Sequence, residues 1–389
     1  MSRQLAIVAT HPIQYNAPLF RVLADRDSLD IHVFYGWDGA TSTAYDPGFG
    51  EEIHWDVPLL DGYDYTLVPN ASSDPGSHHF RGLVNPTLIP KVESWKPDAL
   101  LVLGWAYQSH LRALIHFSGD FPIFFRGDST LLDEQGGVRT LLRRLFLRWV
   151  YWHVNVALYV GQNNRAYFEV HGLDDGELAW VPHAIENRRF MEAPSADQKA
   201  LEWRREIGIP DNAVVILFAG KFESKKAPDT LIDAFLTCNR ENAHLALVGS
   251  GPMESELHGR ADGNDRVHFL GFQNQSRMPV VYRLGDVFVL PSRGPGETWG
   301  LAVNEAMACG CPVVVSDQVG CAPDLVDDGE TGSVFPADDK RALHRELERL
   351  VDDEDLRCSM GRTAQARIKD WSVQQAARRM EQAIANYVS

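Results

Sequence analysis

Glu297 and Glu305, two carboxylates with seven residues between them, form the strongest chemical pattern in this 389-residue sequence. They lie in the stretch Pro291-Ser-Arg-Gly-Pro-Gly-Glu-Thr-Trp-Gly-Leu-Ala-Val-Asn-Glu-Ala-Met-Ala-Cys-Gly-Cys-Pro312. Its Gly- and Pro-rich part reads as a tight loop. Its Ala-rich part reads as a helix that starts near Leu301 and stops at Gly310, with Pro312 just beyond. Free N–H groups at a helix start favour phosphate. Glu297 would stand in the loop on one side of a bound diphosphate, and Glu305 about 6 Å further along the helix axis. Two such carboxylates can accept hydrogen bonds from hydroxyls on two parts of one ligand, and sugar, diphosphate and ribose in a row have that shape. The plainer reading is a solvated loop glutamate and an exposed helix glutamate, the common fate of that residue type.

The elements that must hold this loop are legible around it. Apolar runs at 287–290 and 312–315 flank it and read as buried strands. The loop therefore leaves the carboxyl end of a parallel strand, where open α/β sheets bind ligands. Similar runs recur at 5–9, 31–35, 99–103, 122–125, 156–160 and 178–181, then at 214–219, 245–248 and 267–270. Strands alternating with helical stretches imply parallel sheets, and the length allows two domains.

The stretch from Glu297-Thr-Trp-Gly-Leu301 through Glu305-Ala-Met-Ala-Cys-Gly-Cys-Pro-Val-Val314 resembles the signature of the retaining glycosyltransferases of family four. That family usually has Phe at the position of Trp299. The resemblance is specific over 212–389 and weaker, but in the same order, before it. It implies an α/β GT-B fold, with two Rossmann-like doubly wound domains facing a central cleft and a C-terminal helix crossing back to the first domain. On that template residues 1–188 form an acceptor-side domain, 189–370 a nucleotide-sugar-binding domain, and 371–389 the returning helix. Residues 190–212, polar and with two prolines, read as the linker.

The resemblance also assigns roles. The family's loop after the first strand of the second domain carries an Arg and, five residues later, a Lys, both on the donor diphosphate. Here Lys221 and Lys226 hold those positions, with Lys225 a neighbouring competitor. Lysine offers a point charge rather than a fork, so the contact is looser. The N–H groups around Trp299, Gly300 and Leu301 would complete the diphosphate site without a metal or other cofactor. Glu297 would position the sugar hydroxyls and Glu305 the ribose. Main-chain groups at Gly249, Gly271 and Phe272 would hold the nucleobase. No residue is required as a covalent nucleophile.

In the first half, the loop 10–15 offers His11, Gln14 and Tyr15 as acceptor or cleft residues; alternatively His11 packs the turn. The Gly-Gly often found there in the family is absent. Arg126 and Asp128 follow the fourth strand, where many relatives carry a His on the donor sugar. Either could take part of that role, or Asp128 could cap a helix. Residues 36–82, rich in Gly, Asp, Ser and Pro, read as a long irregular insertion.

Composition narrows the partners. A formal net charge of −16 argues against nucleic acid. No apolar run reaches the eighteen residues of a spanning helix, and the apolar start is too short for a signal peptide. Five cysteines with no Cys-x-x-Cys pair fit a reducing cytoplasm. Residues 139–153 form the one basic patch, with four arginines and two tryptophans. They read either as a core-facing helix or as a peripheral contact with the inner face of a membrane. The expectation is a hexosyltransferase taking a nucleotide sugar and a glycan, lipid-linked or small-molecule acceptor. The competing readings are a nucleotide-sugar epimerase of the same fold and a catalytically idle nucleotide-sugar-binding subunit.

Overall fold

The structure is a computed structural model and describes residues 2–39, 44–46, 51–238 and 240–388. Its strands are β1 (Arg3–Ala9), β2 (Leu29–Tyr35), β3 (Ala44–Asp46), β4 (Glu51–Ile53), β5 (Asp64–Leu67), β6 (Ala99–Leu103), β7 (Ile123–Arg126), β8 (Val156–Tyr159) and β9 (Leu178–Trp180). They continue with β10 (Val214–Ala219), β11 (Ala243–Val248), β12 (Val267–Phe269), β13 (Val287–Leu290), β14 (Val313–Ser316) and β15 (Gly332–Phe335). Every side chain of β10, β11, β13 and β14 is buried. Near-continuous apolar runs of this kind, interrupted only by His244 in β11 and Ser316 in β14, belong to parallel strands covered on both faces.

The chain divides into two compact units. Residues 1–44, 57–183 and 373–389 make the first, and 45–56 and 184–372 the second. The first holds a sheet in the order β5-β2-β1-β6-β7-β8-β9 and the second one in the order β12-β11-β10-β13-β14-β15. Ile7 of β1 lies opposite Val33 and Leu101, and Leu217 of β10 opposite Ala246 and Phe288, all in parallel register. In each sheet the strand order reverses beside the first strand, between β1 and β6 and between β10 and β13. The loops leaving these strands flank a switch point, where such sheets bind ligands.

The helix Val373–Tyr387 returns to the first unit and packs on the helix Ala17–Ala24. Arg26 pairs with Glu381 at 3.4 Å, and Arg3 Nε donates to the Val388 carbonyl at 2.9 Å.

Three sequence expectations change. The supposed linker contains the helix Ala196–Glu206, which is built into the second unit. Ala196, Ala200, Trp203 and Arg204 turn inward at helical spacing, and Arg204 donates to the Leu284 carbonyl and pairs with Asp286. Its charged outer face masked that period. The stretch 36–82 is not all irregular, because it supplies edge strand β5. The loops around that strand are gathered by the buried Asn85 amide, which donates to the carbonyls of Gly36, Val68 and Pro69. Residues 40–43 and 47–50 of that stretch lie outside the described residues, while His54 and Asp56 bond to Asn274 and Ser276 within the second unit. Finally, the helix Val138–Tyr151 does not turn its apolar face to a core. Only Leu147, Val150 and Tyr151 are buried.

Candidate functional site

In the second unit the loop after β10 and the loop after β13 meet at the switch point. The Lys226 ammonium stands 2.5 Å from the Glu297 carboxylate. Both side chains are largely removed from solvent, Glu297 the more so, with 6% of its side chain exposed against 19% for Lys226. Ser292, fully buried, donates its hydroxyl to the same Glu297 oxygen at 2.9 Å. Glu297 is therefore a buried, ion-paired carboxylate, and the solvated reading fails for it. Glu305 is buried too and accepts the Tyr282 hydroxyl at 2.7 Å.

Backbone packing explains the glycines. Gly249 has φ +142, and a Cβ there would lie 2.0 Å from the Gly220 carbonyl, so the loops after β10 and β11 can touch only through glycine. Gly249 N–H then donates to the Gly271 carbonyl at 2.9 Å, drawing in the loop after β12. Gly300 has φ +95 and caps the helix Leu301–Ala308, whose start thus lies beside Glu297. Phe272 is half-buried, with its ring near Trp55.

The Trp299 side chain turns away from solvent. Its indole is 3% exposed, packs on Trp371 at 5.2 Å between ring centroids, and donates Nε1–H to Asn304. The side chain is a buried prop that fixes the loop. Burial pushes the Cys309 thiol of the stretch up to about 12 and the Cys311 thiol well above its ordinary value, which disfavours the thiolate at both.

Sequence reasoning passed over Arg293 and Asp229. The Arg293 guanidinium donates to both Asp229 oxygens at 2.8 and 2.9 Å and to the Thr230 hydroxyl, while its N–H donates to the Lys225 carbonyl. It fastens the lysine loop to the glutamate loop. The sequence marks each residue singly, an Arg inside the signature stretch and an Asp in the first turn after Pro228, but not their pairing. Lys221 is half-buried at the head of the same loop.

The first unit gathers a different set. His11 leaves β1 beside Trp37, with ring centroids 5.4 Å apart and Nδ1 unpartnered. Burial holds its pKa down at about 4. Gln14 and Tyr15 follow it, both half-buried. His110, from the helix after β6, is 1% exposed, with Nδ1 on the Gly104 carbonyl and Nε2 unpartnered. Burial lowers it to about 4 as well. Arg126 gives its guanidinium to the carbonyls of Val181 and Pro182 at 2.8 and 2.9 Å, which brings His183 beside Arg126 and Asp128. Burial, with Arg126 second, holds His183 down at about 4, and burial lowers Arg126 to about 10 against the pull of Asp128. These imidazoles are neutral hydrogen-bonding groups at neutral pH. Asp128 caps no helix, because the next one starts at Val138 behind Gly137. His183 is the functional candidate the sequence reading left out.

Among the described residues, the side chains with metal-ligand spacing are Asp74, His78 and His79, in a loop of the first unit.

Residues 199–367 match the family described as Glycosyl transferases group 1. The D-inositol 3-phosphate glycosyltransferase of Salinispora tropica is 33% identical over 214 residues, 51% of this chain and 44% of that protein. That of Corynebacterium jeikeium is 34% identical over 209 residues, 51% and 49% of the two. The chain thus matches less than half the length of these relatives. Among solved structures, Anabaena HepE in complex with UDP and glucose superposes with a TM-score of 0.75 at 19% identity, over 99% of this chain and 100% of that one. WaaG, a glycosyltransferase involved in lipopolysaccharide biosynthesis, gives 0.68 at 14% identity, over 98% and 99%. With the two parallel-sheet units, these likenesses establish the GT-B fold.

Proposed function

We propose that this chain, whose residues 199–367 belong to the group 1 glycosyl transferases, moves a sugar from a nucleoside diphosphate to an acceptor hydroxyl with retention at the anomeric carbon. The observation that carries the reading is the Lys226–Glu297 pair at the second unit's switch point. A helix start, a lysine and a buried carboxylate in one place, with a second lysine at the head of the same loop, suit a diphosphate bonded to a polyhydroxyl group.

The chemical demand is to stabilise a departing diphosphate. The bond from the anomeric carbon to the phosphate oxygen breaks, and a bond to the acceptor oxygen forms on the same face. The acceptor proton passes to the leaving phosphate oxygen. Lys226 and Lys221, with the N–H groups of Gly300 and Leu301, neutralise the charge that develops. A bound diphosphate competes with Glu297 for Lys226, which frees that carboxylate to accept from sugar hydroxyls. Glu305, held by Tyr282, takes the ribose, and the Gly249, Gly271 and Phe272 loops take the base. The UDP in the HepE complex supports a uridine nucleotide as donor. The first unit's His11, Gln14, Tyr15, Arg126 and Asp128, with His183, are the proposed acceptor side. A glycan, lipid-linked or phosphate-bearing polyol acceptor fits the relatives named above. The reaction needs no metal or organic cofactor, and free cysteines suit a cytoplasmic setting.

The test is release of free nucleoside diphosphate from a panel of nucleotide sugars, with and without cell extract as acceptor source. Extract-dependent release from one donor, with the sugar recovered on a new product, is expected. No release from any donor with extract present would overturn the transferase reading.

A further inference from the structure

The helix Val138–Tyr151 and the following Trp152 present an apolar face to solvent. Val138, Leu142 and Trp152 are 75%, 61% and 80% exposed, and Leu141, Leu145, Phe146 and Trp149 lie with them. At 3.6 residues per turn these seven side chains share an arc of about 140°. Leu147, Val150 and Tyr151, on the opposite side, are the buried residues that seat the helix on its unit. The amphipathic pattern is thus turned outward. Exposed apolar surface concentrated in this way marks a docking site.

Charge selects the occupant. No acidic residue occurs from Val138 to His153, in a chain of net charge −16. On the same wheel, Arg139 and Arg143 border the apolar arc on one side, and Arg144 and Arg148 on the other. Two of these are secured to the protein: Arg144 pairs with Glu134, and Arg143 lies over the Tyr167 ring. Arg139 and Arg148 are exposed at the borders. An apolar strip carrying two tryptophans between rows of arginine matches the boundary between lipid acyl chains and anionic headgroups. A protein partner or a second copy of this acidic chain would have to present acidic groups in rows around an apolar centre.

We propose that this face is an interfacial anchor for an anionic phospholipid surface. The apolar strip enters the acyl boundary, Trp149 and Trp152 sit at headgroup level, and Arg139 and Arg148 contact phosphates. The anchor is independent of the transfer reaction, so either can fail without the other.

The test is co-sedimentation with vesicles of phosphatidylcholine alone and of phosphatidylcholine mixed with phosphatidylglycerol, at low and high salt, with tryptophan emission recorded. Wild type is expected to pellet with the anionic vesicles at low salt, with blue-shifted emission, and to be released by salt. Leu142→Gln with Trp152→Gln, and separately Arg139→Glu with Arg148→Glu, should each weaken partition at least tenfold. All four side chains are exposed, so an unchanged thermal midpoint confirms that the fold survives. Three results would overturn the proposal: no pelleting on anionic vesicles at low salt, equal pelleting on phosphatidylcholine alone, or a concentration-dependent dimer abolished by the Leu142/Trp152 variant.

Discussion

Lys226 and Glu297 come from loops after different strands, yet the ammonium and carboxylate meet at 2.5 Å with little solvent around them. Removing one charge leaves the other poorly hydrated. Breaking a buried pair costs about 3–5 kcal/mol, and the partial exposure of Lys226 places its loss at or below the lower end. Lys226→Ala should therefore lose transfer and also lower the thermal midpoint. Lys226→Ala with Glu297→Gln should lose transfer equally but recover stability, because no lone charge remains and the Gln carbonyl keeps Ser292 satisfied. Turnover like wild type in Lys226→Ala would remove this residue from the site. A double variant less stable than the single would show that the pair is not the unit of stability.

Trp299 separates loop support from ligand contact. Truncation of a buried Trp to Ala costs about 3–5 kcal/mol, so Trp299→Ala should unfold the loop and lower the denaturation midpoint sharply. Trp299→Phe keeps an aromatic ring against Trp371 but removes the donor to Asn304 and part of the indole volume, a loss of about 1–3 kcal/mol. Its activity should stay near wild type. A large activity loss in Trp299→Phe with unchanged stability would instead make the indole a ligand contact.

Stability should fall in mild acid. His110 has a folded pKa near 4 against 6.5 for a free imidazole, so below pH 6.5 the unfolded chain binds the extra proton first. The contribution is fully present above pH 6.5 and is lost as pH drops toward 4, up to about 3 kcal/mol for this residue. Thermal midpoints across that window should decline, and His110→Gln should flatten the decline. An unchanged slope in the variant would mean that other groups set it.

Transfer should survive excess chelator. The proposed charge stabilisation comes from Lys221, Lys226 and the helix start, which supply the positive charge a metal ion would otherwise bring. Loss of turnover on chelation, restored by magnesium or manganese, would contradict it.

Much of the sheet architecture was readable because parallel strands buried on both faces spell themselves as apolar runs. The runs at β6, β10 and β13 were foreseen to the residue. The helix Ala196–Glu206 was not, since its outer face carries enough charge to look like a linker. The switch-point loops were legible through their glycines and the Glu297–Glu305 spacing. The Arg293–Asp229 fork and the approach of His183 to Arg126 were not, because both join residues more than fifty positions apart. No local pattern encodes such a meeting. The outward-facing helix Val138–Tyr151 shows a further limit, since a moment reveals an apolar face but not the direction it points.

The most direct test of the central claim is calorimetric titration of nucleoside diphosphates and their sugar conjugates into wild type, Lys226→Ala, and Lys226→Ala with Glu297→Gln. The account predicts one nucleotide bound at a single site by wild type, with affinity at least tenfold weaker in both variants. Binding that persists undiminished in the folded double variant, or no binding of any nucleoside diphosphate to wild type, would contradict it.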